Sequence, residues 1–139
     1  MDPLTMSLPD VSFAVDAVKA REFATALGAE LERDEDGATL VPVGMLFFVL
    51  CRDSAALFAE LGLPWERALF GGVRFEYARQ ARTGERLLAR SRVVSYRERE
   101  REAEHLGILD LETSYYDVDG GLVVREISTL IARGGLKSS

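Results

Sequence analysis

The stretch Val41-Pro42-Val43-Gly44-Met45-Leu46-Phe47-Phe48-Val49-Leu50-Cys51, continued by Ala55, Ala56, Leu57, Phe58 and Leu61, decides the fold. Pro42 suits the first turn of a helix, where its missing N–H is not needed. From Val43 to Leu50 almost every residue is apolar, so a helix here has no face for water and must be buried on all sides. Arg52 and Asp53 are the first charges to break the run, and Gly62 and Pro64 end it. A run this apolar also fits a buried strand. Its length and helix-forming continuation favour a helix over 43–61, with about 18 residues spanning about 27 Å.

Upstream, residues 1–10 read as a loose lead-in, and Val11 to Val15 alternates like a short strand. Asp16 suits a helix N-cap, with Ala20, Phe23, Ala24 and Leu27 on one apolar face and Gly28 as the stop. Glu30 to Gly37 is a charged, exposed loop. After Trp65 the period changes to two: Val73, Phe75 and Tyr77 alternate with Arg74 and Glu76. Arg82 to Glu85 is a turn, and strands follow over 87–96, around Leu109, Leu111, Thr113 and Tyr115, and over 122–132. Asp117-Val118-Asp119-Gly120-Gly121 is a strong hairpin signal, because glycine takes positive φ without steric cost. The order is thus strand, helix, buried helix, then four antiparallel strands. A sheet with one apolar face needs a cover, and a helix without a polar face needs a wrapping. One α+β domain is expected over 11–133, an antiparallel sheet wrapped around a long central helix. That arrangement resembles the hot-dog fold. Residues 134–139 form a tail.

Composition narrows the chemistry. The 139 residues suit one domain with one core, and 47% hydrophobic with 29% charged is an ordinary globular balance. Seventeen Lys+Arg against 23 Asp+Glu leave a net charge of −6. That argues against nucleic-acid binding, which needs a basic face. The single cysteine, Cys51, excludes an internal disulfide, and residues 1–10 lack the basic and apolar regions of a signal peptide. The apolar run falls short of the roughly 20 residues that cross a bilayer, so no membrane association and a cytoplasmic location are expected. The single histidine, His105, makes a zinc site or a histidine-dependent catalytic set within this chain improbable on composition alone. No metal and no other cofactor are expected.

The chain resembles the N-terminal, non-hydratase half of MaoC-like dehydratases, the group that supplies accessory subunits to (R)-3-hydroxyacyl-thioester dehydratases. The residues that carry the likeness are Arg21-Glu-Phe-Ala-Thr-Ala-Leu-Gly28, Leu69-Phe-Gly-Gly-Val-Arg-Phe-Glu-Tyr77, Arg79 with Thr83-Gly-Glu-Arg-Leu87, and Asp117-Val-Asp-Gly-Gly-Leu-Val-Val124. Their order and spacing carry it more than any one piece. Three departures stand out. Phe70 replaces the usual histidine, Gln80 replaces a proline and Glu85 replaces an aspartate. In active hydratases of the family the first helix is followed by an Asp and a His acting as a pair. Here Gly28 is followed by Ala29 to Gly37 with no histidine, although Glu30 or Asp34 could stand where the acid does.

The resemblance implies a subunit that binds the acyl thioester without carrying the acid–base pair. Val43 and Gly44 would supply backbone donors at a helix N-terminus. Phe47, Phe48, Phe70 and Gly71 would line the acyl side, although Phe47 and Phe48 also suit the core and Phe70 suits simple packing. Gly71 and Gly72 ease a tight start to the strand. Val73, Phe75 and Tyr77 would form a dimer interface, since an apolar edge strand is otherwise an association hazard. No catalytic residue is assigned. Cys51 reads as a small buried hydrophobe and His105 as a surface histidine beside an Arg/Glu hairpin end. The expected partners are an acyl thioester of CoA or acyl-carrier protein and a second hot-dog subunit, as a homodimer or as a heterodimer with a catalytic subunit. Two other functions stay open: a homodimeric thioesterase using a carboxylate such as Glu30, Asp34 or Glu35, and a non-enzymatic acyl-thioester binder.

Overall fold

The computed structural model describes residues 2–47 and 55–136. Five strands, β1 (Val11–Ala14), β2 (Ala68–Tyr77), β3 (Arg86–Arg101), β4 (Glu104–Tyr116) and β5 (Leu122–Arg133), form one antiparallel sheet in the order β1-β3-β4-β5-β2. Among the described residues, α1 (Ala17–Ala26) and α2 (Ala55–Leu61) accompany it, with helical geometry also at 45–47. The Asp16 side chain caps α1 by accepting from the Val18 and Lys19 amides at 2.7 and 3.2 Å. Ala20 and Ala24 are its buried face, whereas Leu27, expected on that face, is 66% exposed just past the helix end.

Strand alternation assigns the two sheet faces. Along β5, Val124, Glu126, Ser128, Leu130 and Ala132 point to the buried inner face. Two apolar clusters sit on that face. One joins Met45, Leu46 and Val41 to Leu87, Ala89, Tyr115, Val123 and Val124. The other joins Phe58, Leu61 and Leu63 of the α2 region to Val93, Leu109, Leu111, Leu130 and Ala132. The helical turn at 45–47 and α2 therefore cover the same sheet face at two different places. Phe48 and Cys51 of the expected central helix lie outside the described residues.

The helix begins later than the apolar run suggested. Val43 and Gly44 form a turn, with Val43 61% exposed and Gly44 at φ +87°, and helical geometry starts at Met45. Glycine is needed here because a side chain is strained at that φ. Strand β3 runs to Arg101, past the expected end at Tyr96, because its alternating Arg and Glu residues pair in register with β4 as far as Arg101 opposite Glu104. Ahead of β1, Leu8 is buried in the second cluster. At the other end the Leu136 amide donates to the Tyr96 hydroxyl at 3.2 Å.

Candidate functional site

A cleft of about 200 Å³ opens where the end of α1 meets the following loop and the start of the helical turn at 45–47; its lining includes Ala24, Leu27, Glu30, Pro42, Val43 and Gln80. The chain reaches this geometry through two backbone ties. The Val41 amide donates to the Ala81 carbonyl at 2.7 Å, and Gln80 Nε2 donates to the Val41 carbonyl at 3.3 Å. Gln80, the departure from the family's proline, thus holds the segment leading to the helix.

Of the two carboxylates expected there, only Glu30 reaches the cleft. Asp34 is spent on its own loop: it accepts from the Ala38 and Asp36 amides at 2.9 Å and pairs with Arg82 at 3.0 Å. Partial burial pushes the Asp34 carboxyl up, but the Ala38 amide, the Arg82 guanidinium and the Asp36 amide together hold it below the usual aspartate range. His105 does not line the cleft; it shares the inward phase of Leu109 and Leu111 but lies at the outer end of the sheet, beyond Gly107. It sits at the start of β4, with Nδ1 2.5 Å from Glu100 Oε1 and Nε2 3.4 Å from Glu98 Oε2. The Glu100 hydrogen bond raises its pKa, against some desolvation and with help from Glu98.

Beneath the helix start a second group of polar atoms meets. The Gly44 amide donates to the Tyr77 hydroxyl at 3.0 Å. Burial raises the Tyr77 phenol; the Gly44 amide opposes this, and the charge of Glu126 adds to it. Tyr115 donates from its hydroxyl to Glu126 Oε2 at 3.2 Å, and the same hydroxyl lies 3.5 Å from the Leu46 carbonyl. Glu126 is 2% exposed, and burial lifts its carboxyl to about 7 despite the Tyr115 bond. Neither Glu126 nor Tyr115 was assigned a role from sequence, although the alternation of β5 places Glu126 in the inward phase.

Two ring pairs join four of the remaining expected site residues. Phe47 packs against Phe70 with ring centroids 4.9 Å apart, and Phe75 against Tyr77 at 5.9 Å. Strand β2 is hydrogen-bonded to β5 on one side, and among the described residues no strand pairs with its other side. Its inward residues Phe70 and Val73 remain 52% and 37% exposed. The register shifts between Phe70 and Gly72, a bulge at Gly71, where a Cβ would meet Thr129 Cγ2 at 3.2 Å. The residues read as substrate-binding and those read as a dimer edge thus adjoin one another.

The motif around Arg79 has a structural task. Arg79 pairs with both carboxylate oxygens of Glu85 and with Asp117 Oδ2 at 3.2 Å, which clamps the β2–β3 turn to the β4–β5 hairpin. Glu85 also accepts from the Arg82 amide at 2.9 Å, which ties the turn to the same ion pair. Among the described residues no group of three or more His, Cys, Asp or Glu side chains is arranged to hold a metal ion. No helix among them is long and apolar enough to cross a membrane.

An antiparallel five-stranded sheet with its helices on the inner face is the hot-dog fold. Residues 4–126 match the family described as FAS1-like, dehydratase domain region, and the chain belongs to that family. It is similar to a UPF0336 protein of Streptomyces griseus, 29% identical over 136 residues, covering 90% of this chain and 88% of that one. The fold is similar to that in the C-terminally truncated HadBC (3R-hydroxyacyl-ACP dehydratase) complex of Mycobacterium tuberculosis, with a TM-score of 0.69, 20% identity, and 91% and 93% of the two chains covered. It is also similar to the (R)-hydratase of A. caviae involved in PHA biosynthesis, with a TM-score of 0.64, 18% identity, and 99% and 100% covered.

Proposed function

We propose that this chain is the substrate-binding, non-catalytic hot-dog subunit of an (R)-3-hydroxyacyl-thioester dehydratase or enoyl-thioester hydratase. One observation carries the proposal: the cleft at the helix start is lined by carboxylates, Glu30 and Glu32, while the chain's one imidazole sits apart from it between Glu98 and Glu100. Hydration adds hydroxide to Cβ and a proton to Cα of the enoyl thioester, and dehydration reverses this. Two proton-handling groups are needed near neutral pH, for which a carboxylate and an imidazole are suited. The second subunit supplies that pair. This chain contributes the acyl-binding surface of Val43, Gly44, Phe47, Phe70 and Gly71. The apolar edge formed by Val73, Phe75 and Tyr77 takes the partner, which lengthens the sheet across the interface.

The likeness to HadBC, a 3R-hydroxyacyl-ACP dehydratase complex, supports a paired arrangement. The competing thioesterase function would use Glu30 to activate water, and two assays on the purified chain separate them. The proposed subunit neither hydrates crotonyl-CoA nor hydrolyses octanoyl-CoA by itself. Hydrolysis that disappears in Glu30→Gln would establish the thioesterase instead.

A further inference from the structure

Across the middle of the inner face, Ser91, Thr113, Glu126 and Phe75 stand side by side on β3, β4, β5 and β2. Ser128 is the next inward residue along β5. This polar row divides the two apolar clusters. Ser91 Oγ and Thr113 Oγ1 satisfy each other at 2.9 Å. Glu126 receives one bond, from Tyr115 to Oε2, while its buried Oε1 has no hydrogen-bond partner among the described residues. Buried polar atoms are almost always paired, so an orphaned carboxyl oxygen demands an explanation. Packing alone would be served better by an apolar side chain at this position.

The surroundings lead outward from that oxygen. Phe75 is directly opposite Glu126 on β2 and Tyr77 is the next inward residue, and both rings are half-buried at the sheet edge. Gly44 puts no side chain between the helix start and this edge; a Cβ there would already lie 4.0 Å from Phe75 Cε2. The Phe75 and Tyr77 rings therefore stand between Glu126 and the exposed sheet edge, beside the start of the helical turn.

We infer that Glu126 determines acyl specificity: its free Oε1 hydrogen-bonds a hydroxyl or keto oxygen carried on the acyl chain, so that this subunit prefers oxygenated acyl thioesters to plain hydrocarbon ones. The inference rests on the acyl-binding role proposed above. A neutral carboxyl donates to a keto oxygen and an ionised one accepts from a hydroxyl, and burial keeps both forms accessible near neutral pH. A plain chain crossing the row presses methylene groups on Oε1 and leaves it unpaired.

The test measures calorimetric binding of octanoyl-CoA and of its positional isomers hydroxylated at carbons 4 to 8 to the full-length chain. At least one isomer should bind about tenfold more tightly than octanoyl-CoA, the effect of one well-made hydrogen bond in a buried site. Glu126→Leu should bring the two ligands to within about twofold, while Glu126→Gln, which keeps a donor and an acceptor, retains part of the preference. Circular dichroism of both variants controls for folding. Equal binding of all isomers by the native chain, as expected if a trapped water satisfies Oε1, overturns the inference, as does a preference that survives Glu126→Leu. Binding of octanoyl-CoA in those cases leaves the acyl-binding role standing. Failure of every acyl-CoA to bind removes that role and the inference with it.

Discussion

Glu126 also sets a pH dependence that isolates one residue. Its folded-state pKa of about 7 lies above the ordinary glutamate value of 4.5, so the folded state holds a proton that the unfolded chain has released. Stability is therefore full below pH 4.5, falls as pH rises through the window up to about 7, and is level above it. The fall is about 3 kcal/mol at most, since one pKa unit corresponds to about 1.4 kcal/mol. Glu126→Gln should flatten it, which urea midpoints at pH 5 and pH 8 will read. Asp34, Glu76, Glu85, Asp110 and Asp117 act elsewhere, because their lowered pKa values give stability that is lost only as pH falls below the ordinary carboxylate range. His105, raised by Glu100, contributes stability that is full below 6.5 and fades above it, so His105→Gln separates the two effects. The inward phase of Glu126 was legible from Val124, Ser128 and Leu130. The Gly44–Tyr77 bond was not, because it joins residues 33 apart in sequence and only the fold brings them together.

At the scale of the element, the β3–β4 hairpin shows where local signals mislead. Arg101 pairs with Glu104, so Glu102 and Ala103 make a two-residue turn, and both have positive φ, 51° and 64°. Such turns normally carry Asn-Gly or Asp-Gly, because side chains are disfavoured in that conformation. Without that signature the Arg97–Glu104 run read as a wet hairpin end, and the regular ladder within it was missed. Replacing the pair with Glu102→Asn and Ala103→Gly should stabilise the protein by about 1 kcal/mol, measured as a shift in urea midpoint with an unchanged m-value. The β4–β5 hairpin gives the opposite case. Asp117 accepts from the Asp119 and Gly121 amides at 3.0 and 2.8 Å, and Gly120 has φ +83°, as the Asp-Gly-Gly signal implied. The start of the helix lay between these extremes. Pro42 marked it, but Gly44 delays regular geometry to Met45.

At the scale of the whole molecule, among the described residues the sheet leaves β2 with one paired side and an apolar margin of Leu69, Phe70 and Val73. An uncovered edge of this kind associates unless a partner covers it. Val73→Lys, a charge on the edge strand, should weaken self-association or association with a second hot-dog subunit at least about tenfold while leaving the circular dichroism spectrum unchanged. Sedimentation velocity over a concentration series reads this directly, and unaltered association would remove β2 from the interface. Fold and edge were both legible in the alternation of Val73, Phe75 and Tyr77 and in the all-apolar run after Pro42. The completed site proposed here was not, because proton-handling groups that another polypeptide would supply leave no trace in this sequence beyond the missing histidine after Gly28. Dependence on that other polypeptide is the central claim. Its most direct test is crotonyl-CoA hydration at a fixed concentration of this chain, titrated with a hot-dog subunit that bears the Asp/His pair. Activity that is absent without the second subunit and rises to saturation at an equimolar ratio is predicted; hydration at full rate by this chain alone would contradict the account.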